Sequence, residues 1–452
     1  MIYAIASVAA RSTAAAAFAL MVFAAMAAPA ADKQSSGALA ALPSNPCYFQ
    51  DSKGRPVLLI GDYGWHTFLD ADFDYERMFD SHKARGLNLI RVPLFDGRSS
   101  SGTNIYVVPY LRTGPGLAKD GKPRYDLTKF NEEFFHRVRT MCKAAKRRGI
   151  YLQLIMVDTC TPKRPAHWRE HAYQRDNNIN GMDADPRNTG TGRDREQGIC
   201  SMGNPQAIEL EKALIRRIVE AVSGCDNVIL EMANENTTRE WDLAMCDYVK
   251  GLERGKPIQH LLMPSDLPPH TDIAGRWNAA RIHASVIEKR SLRQPVINDT
   301  DFAISQNDDE IRRVMWTSIA SGGHFDYLDD NMDFFLSKPS VDRRARLHKQ
   351  IDYMTAFARK LKPWEMTPDD AIVKSGAAYA MASESELMAY LPSGGSMTLE
   401  LAKLTGRLKA RWYNPLDGKF GKVFEVQAGD AQEFKAPNDH DWAMLIKKAG
   451  AK

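Results

Sequence analysis

The sequence has little net charge, few cysteines and only one long apolar run. Its 452 residues carry a formal net charge of +4, too weak a field to indicate nucleic acid as a partner. The cysteines have no CxxC spacing, so a zinc site is not expected. Beyond the N-terminus no apolar run approaches the ~20 residues that a membrane-spanning helix needs. These absences exclude a nucleic-acid-binding protein and a multi-spanning membrane protein.

The one long apolar run lies near the N-terminus, from Ala14 to Ala27. Arg11 precedes it and small residues follow, so cleavage is predicted between Ala28 and Ala31. A signal peptide over residues 1–31 predicts a secreted or periplasmic protein with no membrane attachment after cleavage. An N-terminal membrane anchor is the alternative, although the run is short for a bilayer span.

Export would place the cysteines in an oxidising compartment, where disulfides form. Six cysteines are present, and six allow ~15 complete pairings, among which sequence cannot choose. Cys160 and Cys200 flank a long polar stretch and are the preferred pair.

From about Cys47 to Asp330, short β-rich runs alternate with amphipathic helices, a pattern typical of parallel sheets and barrels. Eight runs can be interpreted as strands: residues 57–65, 87–95, 150–158, 227–236, 260–266, 280–285, 294–301 and 324–330. The predicted fold class is α/β, a (β/α)8 TIM barrel over residues 45–365.

Two long insertions interrupt this alternation, at residues 96–125 and 159–204. Each follows a strand and precedes a helix, so each is predicted to lie on the C-terminal face of the barrel, where active sites form. After a helix near residues 341–361, the chain alternates apolar and polar residues around a turn at Asp417-Gly418. Residues 370–452 are therefore predicted to form a small antiparallel β-sandwich.

The fourth predicted strand, "NVILEMANEN" at residues 227–236, is mostly apolar before it reaches Asn234 and Glu235. Glu231 faces the same way as Glu235 by strand alternation and is predicted to be a hydrogen-bonded interior residue, not a second catalyst. A carboxylate at the C-terminal end of a barrel strand points into the barrel mouth, and the neighbouring Asn can hold a ligand hydroxyl. Glu235 is therefore a catalytic candidate. The alternative is a helix N-cap network ahead of Trp241, since Asn and Glu are common at helix starts.

Glycosidic bonds are normally cleaved by two carboxylates on opposite sides of the scissile bond. The seventh predicted strand ends in "INDTD", which offers Asp299 and Asp301 as the partner of Glu235. An Asx-turn is the alternative interpretation of this run.

These stretches resemble bacterial secreted glycoside hydrolases of the large (β/α)8 clan of retaining glycosidases, in particular those with a C-terminal collagen-binding-like domain. The resemblance extends over most of the chain after the signal peptide. It is carried by the two strand-end motifs above, "YLRTGPGLAKDGKPRYDLTKFNEEFFHRV" (110–138), "NNINGMD" (177–183) and "YLPSGGSMTLELAKLTGRLKARWYNPLDGKFG" (390–421).

The resemblance implies roles for four residues. Glu235 falls on the acid/base of the clan, and Arg91 on a strand-two Arg that orients the nucleophile. The clan places its nucleophile at the end of strand seven, usually as a Glu, and this chain has Asp-Thr-Asp there. The nucleophile is aligned to Asp299, with Asp301 as the alternate; an Asp is shorter, and a water in the gap would invert the stereochemistry.

Other strand ends offer polar and aromatic side chains that could bind substrate beside Asn234 and Arg91. Trp65 could stack on a sugar face or cap the core, and His66 is a ligand or a structural histidine. The remaining candidates are Asp158 after strand three and Asp326 on strand eight.

The sequence thus predicts an O-glycosyl hydrolase, a glycosidase expected to be retaining, that acts on a poly- or oligosaccharide as its partner. No metal or organic cofactor is implied, because two carboxylates suffice for this chemistry. The alternative is a catalytically inactive secreted protein that binds glycans or serves in adhesion.

Overall fold

The computed structural model describes residues 38–63, 67–94, 107–159, 161–234, 237–263, 278–299, 307–328 and 341–450. Within these ranges the central element is a curled sheet of seven parallel strands. In chain order its strands are β4 (Ile60–Tyr63), β5 (Leu89–Pro93), β8 (Tyr151–Val157), β9 (Val228–Ala233), β10 (Leu261–Met263), β11 (Ile297–Asp299) and β12 (His324–Leu328). Their spatial order is β10-β9-β8-β5-β4-β12-β11. The predicted TIM-barrel fold class is confirmed.

Helices cover the outside of this sheet. Their bounds are α1 (Tyr75–Arg85), α2 (Glu132–Lys146), α3 (Pro165–Trp168), α4 (Pro205–Val222), α5 (Arg239–Glu253), α6 (Ala279–Arg290), α7 (Asp308–Ala320) and α8 (Val341–Ala358). Most begin after a side chain that accepts a hydrogen bond from a first-turn N–H, which stabilises the helix start. These caps are Asp74, Asn131, Asn204, Thr238, Asn278 and Asn307.

The sixth predicted strand is wrong. Residues 280–285 lie inside helix α6, where Ile282 and Val286 are fully buried one helical turn apart. Their i, i+4 spacing places both on the face that packs against the sheet.

Close strand packing explains one glycine in the barrel. A Cβ at Gly61 in β4 would lie 2.1 Å from the carbonyl oxygen of Leu89 in β5. Any larger residue would therefore force the two strands apart.

The N-terminal end of the barrel is closed by three short strands, β1 (Ala40–Leu42), β2 (Asn45–Gln50) and β3 (Pro56–Val57). From this sheet Phe49 packs with Leu89 and Ile229, which lie near the start of their barrel strands. The Phe49 ring also contacts His324, 4.8 Å between centroids, and burial lowers the pKa of His324 to about 3. The interior of the barrel is therefore closed at this end by an apolar plug.

The first insertion leads into a β-hairpin that the sequence pattern did not predict. Its strands are β6 (Tyr110–Leu117) and β7 (Pro123–Phe130). The second insertion packs on this hairpin: Lys119 N–H donates to Asn177 (2.8 Å) and Leu127 N–H to Asn180 (2.7 Å). The two insertions thus form one layer.

The C-terminal part consists of two antiparallel sheets. The larger contains β13 (Thr367–Pro368), β15 (Tyr379–Ala382), β16 (Glu386–Leu391), β18 (Arg407–Asn414), β19 (Lys419–Phe420), β20 (Phe424–Gln427) and β22 (Trp442–Lys448). The smaller contains β14 (Val373–Ser375), β17 (Ser396–Leu399) and β21 (Gln432–Lys435). A shared apolar core between them confirms the predicted β-sandwich.

The outer face of the larger sheet is buried against the barrel helices. Strand alternation sends Trp412 into the sandwich core and Tyr413 toward the barrel. There the rings of Tyr413 and Tyr390 pack on Trp316 of α7, with centroids 5.5 and 5.8 Å away. This sheet face is part of the protein interior.

A buried ion pair joins the two parts. Arg312 of α7 donates Nη2 to Asp441 Oδ1 (2.6 Å) and Nε to both carboxylate oxygens (3.0 Å each), and Tyr390 Oη donates to Asp441 Oδ2 (2.9 Å). Arg312 is 2% exposed and Asp441 0%. Arg312 also donates Nη1 to the exposed Asp309 (2.7 Å), whereas Asp441 is fully buried.

Asp441→Ala is expected to lower the free energy of unfolding by about 3–5 kcal/mol, because it leaves the buried Arg312 with only the solvent-exposed Asp309 as an acidic partner. Urea unfolding of the variant and the wild type would measure this. Asp439→Ala, an exposed site two residues away, is the matched control. A loss for Asp441→Ala no larger than that of the control would contradict a stabilising role.

Neither the predicted disulfide nor the predicted export is tested by the fold. Cys160 lies outside the described residues, so its pairing with Cys200 stays a prediction. Cys47, Cys142, Cys225 and Cys246 are buried free thiols. No helix in the described ranges combines the length and the apolar character needed to cross a membrane.

Candidate active site

A buried polar network lies inside the barrel and joins the middle of β5 and β8 to the C-terminal half of β9. Arg91 of β5 donates Nε to Glu231 Oε2 (3.0 Å) and Nη2 to Glu231 Oε1 (2.6 Å). Gln153 of β8 donates Nε2 to Glu231 Oε2 (2.8 Å). All three side chains are at most 2% exposed. Glu231 is therefore a fixed interior acceptor, as its position on the strand predicted.

The same network orients Asn234, the residue after β9. Arg91 Nη2 donates to Asn234 Oδ1 at 2.8 Å. Because a guanidinium only donates, the amide oxygen must face Arg91 and the Nδ2 donors must face away from it. Thr159, after β8, also donates its hydroxyl to the Asn234 carbonyl oxygen. Asn234 is thus held from two neighbouring strands.

Asn234 is not the N-cap of the helix that follows it. The cap of α5 is Thr238, whose hydroxyl accepts from Trp241 N–H at 3.3 Å. Asn234 lies four residues earlier, with its oxygen on Arg91. Trp241 is fully buried, so it is a core residue.

Several predicted site residues fall outside the described part of the chain. These are Trp65, His66, Glu235 and Asp301. The backbone of Asp299 is described as the last residue of β11, in register with Asp326 of β12. Asp326 is 1% exposed and shares a face of its strand with His324, which contacts the interior plug. Asp299, the candidate nucleophile, is therefore paired between neighbouring strands with the buried Asp326.

Asp158 lies in a cavity of about 60 Å³ beneath the two insertions. Leu94 and Met156 contribute from the strand ends, and Tyr125 and Ile199 from the insertions. Asp158 Oδ2 is 3.9 Å from Nε2 of His171, which also lines the cavity. Both insertions therefore meet over the C-terminal ends of β5 and β8, as their placement predicted.

Sequence reasoning missed Glu211 of α4, which is fully buried. Its Oε1 accepts from Cys200 N–H (2.9 Å) and its Oε2 from the Trp241 indole N–H (2.7 Å). The carboxylate thus ties the end of the second insertion to the helix that follows Asn234. The sequence did contain a sign of this buried carboxylate. Glu211 lies three residues after Ile208 and four before Ile215, which places a charged residue on the apolar face of the helix.

Burial raises the pKa of Glu211 from 4.5 to about 7, although its two hydrogen bonds oppose the shift. An acid with a raised folded-state pKa stabilises the fold below its unfolded pKa, and this contribution is lost as pH rises to the folded pKa. Wild-type stability should therefore fall between pH 4.5 and pH 7 by about 3 kcal/mol from this group.

Glu211→Gln should remove this part of the pH dependence, because an amide does not titrate. The measurement is the difference in unfolding free energy between pH 5 and pH 7.5. The control is Glu209→Gln, on the same helix but at an exposed position. It leaves Glu211 and the other buried groups unchanged, so it should retain the wild-type difference. An unchanged difference in Glu211→Gln would show that Glu211 is ionised throughout.

A hydrogen-bonded Ser-His-Asp chain elsewhere does not form a nucleophilic site. His283 lies 2.8 Å from both Ser321 Oγ and Asp370 Oδ1. However, Ser321 is fully buried while the Asp370 side chain is 74% exposed. A nucleophile must reach the substrate, and here the serine is buried while the aspartate is exposed. This arrangement excludes acyl transfer by Ser321. Among the described residues no group of three His, Cys, Asp or Glu is placed to hold a metal ion.

Two family models match parts of the chain. Residues 367–447, within the sandwich region, match the family described as "Putative collagen-binding domain of a collagenase". Residues 85–242, which include Arg91 and Asn234, match a domain of unknown function, DUF6298. A search among curated proteins found no match.

Solved structures match over both parts of the chain. One, described as "Glycoside hydrolase", is 16% identical, with a TM-score of 0.63 over 93% of this chain and 99% of the other. A glycoside hydrolase family 5 protein from Bacteroides vulgatus ATCC 8482 is also 16% identical, with a TM-score of 0.64 over 92% and 95%. This chain therefore shares its fold with these proteins. The coverage includes the sandwich, so barrel and sandwich recur together in these neighbours.

Proposed function

We propose that this protein is a secreted or periplasmic O-glycosyl hydrolase acting on a poly- or oligosaccharide. One observation carries the proposal: Arg91 and Thr159 fix Asn234 at the C-terminal end of β9, directly before Glu235. Within a glycoside hydrolase fold, that position suits an acid next to a hydroxyl-binding amide. The barrel mouth is also where such folds place their chemistry.

In the proposed reaction Glu235 protonates the leaving glycosidic oxygen while a carboxylate at the end of β11 acts on the anomeric carbon. Asp299 is the proposed partner, with Asp301 as the alternate. It either attacks directly, which retains the anomeric configuration, or directs a water, which inverts it. Asn234 donates Nδ2 to a sugar hydroxyl, a role open to it because Arg91 holds its oxygen.

The test is hydrolysis of a panel of plant and bacterial polysaccharides by the purified chain without residues 1–31. Release of reducing ends measures activity, and NMR of the first product gives its anomeric configuration. Binding to a glycan without release of reducing ends on any substrate would favour the inactive glycan-binding alternative. Absence of both binding and hydrolysis across the panel would contradict the proposal.

A further inference from the structure

A cavity of about 700 Å³ lies at the N-terminal face of the barrel, away from the candidate active site. Its walls come from the β1–β2 hairpin (Ser44–Cys47), the C-terminal end of α6, and the segment that leads into the sandwich. The hairpin packs on the N-terminal ends of the barrel strands, which fixes the face on which the cavity opens. Ligand sites commonly have volumes of ~300–1,000 Å³.

The cavity has an aromatic wall. Trp364 is half-buried: it packs against Leu42, Cys47 and Tyr48 and also lines the cavity. Its backbone carbonyl accepts from Asn45 Nδ2 at 3.0 Å, which ties the segment to the hairpin. The side chain is therefore held by its packing, and it is the aromatic residue of the cavity wall.

Two arginines line the same cavity. Arg290 donates Nη1 to Gly322 O (2.6 Å), and its guanidinium carbon lies 5.4 Å from the centre of the Tyr48 ring. These contacts hold the cation in place beside the cavity. Arg293 is exposed and has a left-handed backbone, with φ of 56°, a conformation that is uncommon in a non-glycine residue.

Basic residues at a helix C-terminus often serve only to satisfy its last carbonyl groups. Here backbone and thiol donors already do so. Ser291 N–H bonds the carbonyls of Ile287 and Glu288, Leu292 N–H bonds that of Lys289, and Arg293 N–H and Cys47 Sγ bond that of Arg290. The guanidinium groups are therefore not required as caps.

The charge balance of the cavity is positive. Its acidic residue, Glu365, forms an ion pair with Lys362 at 3.3 Å. Arg290 and Arg293 face no other acidic side chain among the residues that line the cavity. The lining therefore favours an anion.

We infer that this cavity binds an acidic oligosaccharide, with the sugar ring on Trp364 and its carboxylate on Arg290 and Arg293. An aromatic plane beside two guanidinium groups suits a uronic acid residue, since Arg forms bidentate hydrogen bonds with carboxylates. That the ligand is a saccharide rests on the proposed function. The shape and charge of the cavity are independent of it. The site would hold an acidic chain at one face while the barrel mouth acts at the other.

The test is calorimetric titration of Glu235→Gln protein with trigalacturonate, so that no hydrolysis interferes. Arg293→Gln and Trp364→Ala should each weaken binding at least about tenfold, the usual cost of losing a good charge-assisted hydrogen bond or a buried aromatic contact. Arg254→Gln, an exposed arginine at the end of α5 outside the cavity, should leave binding unchanged. Neutral cellotriose should bind more weakly than trigalacturonate.

Arg293 is exposed, so its variant should keep the wild-type unfolding midpoint and remains informative if Trp364→Ala destabilises the fold. Binding that is absent, that is equal for the neutral sugar, or that survives Arg293→Gln would overturn the inference. Equal weakening by Arg254→Gln would also overturn it, because that result indicates non-specific attraction. None of these results depends on whether the protein hydrolyses glycans.

Discussion

Replacing Glu235 with glutamine is expected to lower the rate of hydrolysis of an unactivated glycoside by about 10²–10⁴-fold. The amide keeps the shape of the side chain but has no proton to give to the leaving oxygen. The fold should be unaffected, because β9 is held by Glu231 and Asn234, which the variant retains. Reducing-end release from the best substrate of the panel measures the rate.

Two further measurements make this result specific. Glu240→Gln, an exposed glutamate in the first turn of α5, should keep wild-type activity. An aryl glycoside with a good leaving group needs little protonation, so Glu235→Gln should lose less activity on it. Near-wild-type turnover of the unactivated substrate would reject the acid/base role.

Much of the barrel was predictable because its strands and helices have strong patterns. The strand at Val228–Ala233 is continuously buried, and a polar pair follows it at once. The strand predicted at residues 280–285 is wrong because the pattern there is weak. It is a six-residue window in which a period of two and a period of 3.6 give similar patterns. Only the buried Val286, beyond the window, distinguishes a helix.

Long-range partners explain what the sequence did not reveal. Tyr110–Leu117 contains two glycines and a proline, which read as a loop, yet β7 supplies its hydrogen bonds. Likewise, alternation places Glu231 inside the barrel but does not name Arg91 as its partner. Such contacts depend on register between strands far apart in the chain, and local patterns do not encode register.

The C-terminal sandwich is best understood from the face that it buries. Its larger sheet packs on α7 and α8 through Tyr390 and Tyr413, and Arg312 meets Asp441 there. Helix α7 follows the strand that ends at Asp299, so the sandwich supports the side of the barrel that carries the proposed nucleophile. Surface binding by the sandwich would have to use its edges or its smaller sheet.

The second large effect concerns that nucleophile. Asp299→Ala is expected to lower the hydrolysis rate at least about 10²-fold, because the group that attacks the anomeric carbon or activates water is gone. Glu235 can still protonate the leaving oxygen. Added azide should then occupy the vacated space, attack in place of the carboxylate and restore turnover.

The product of rescue distinguishes the mechanisms. If Asp299 attacks directly, azide should give a glycosyl azide of the opposite anomeric configuration to the normal product. Asp301→Ala is the matched control, two residues along the same chain segment, and should show no such rescue; rescue in Asp301→Ala alone would transfer the role to that residue. In a structure, a carboxyl separation of ~5 to 5.5 Å from Glu235 indicates retention and ~6.5 to 9.5 Å indicates inversion. Wild-type activity in both variants would leave β11 without a catalytic group and favour the glycan-binding alternative.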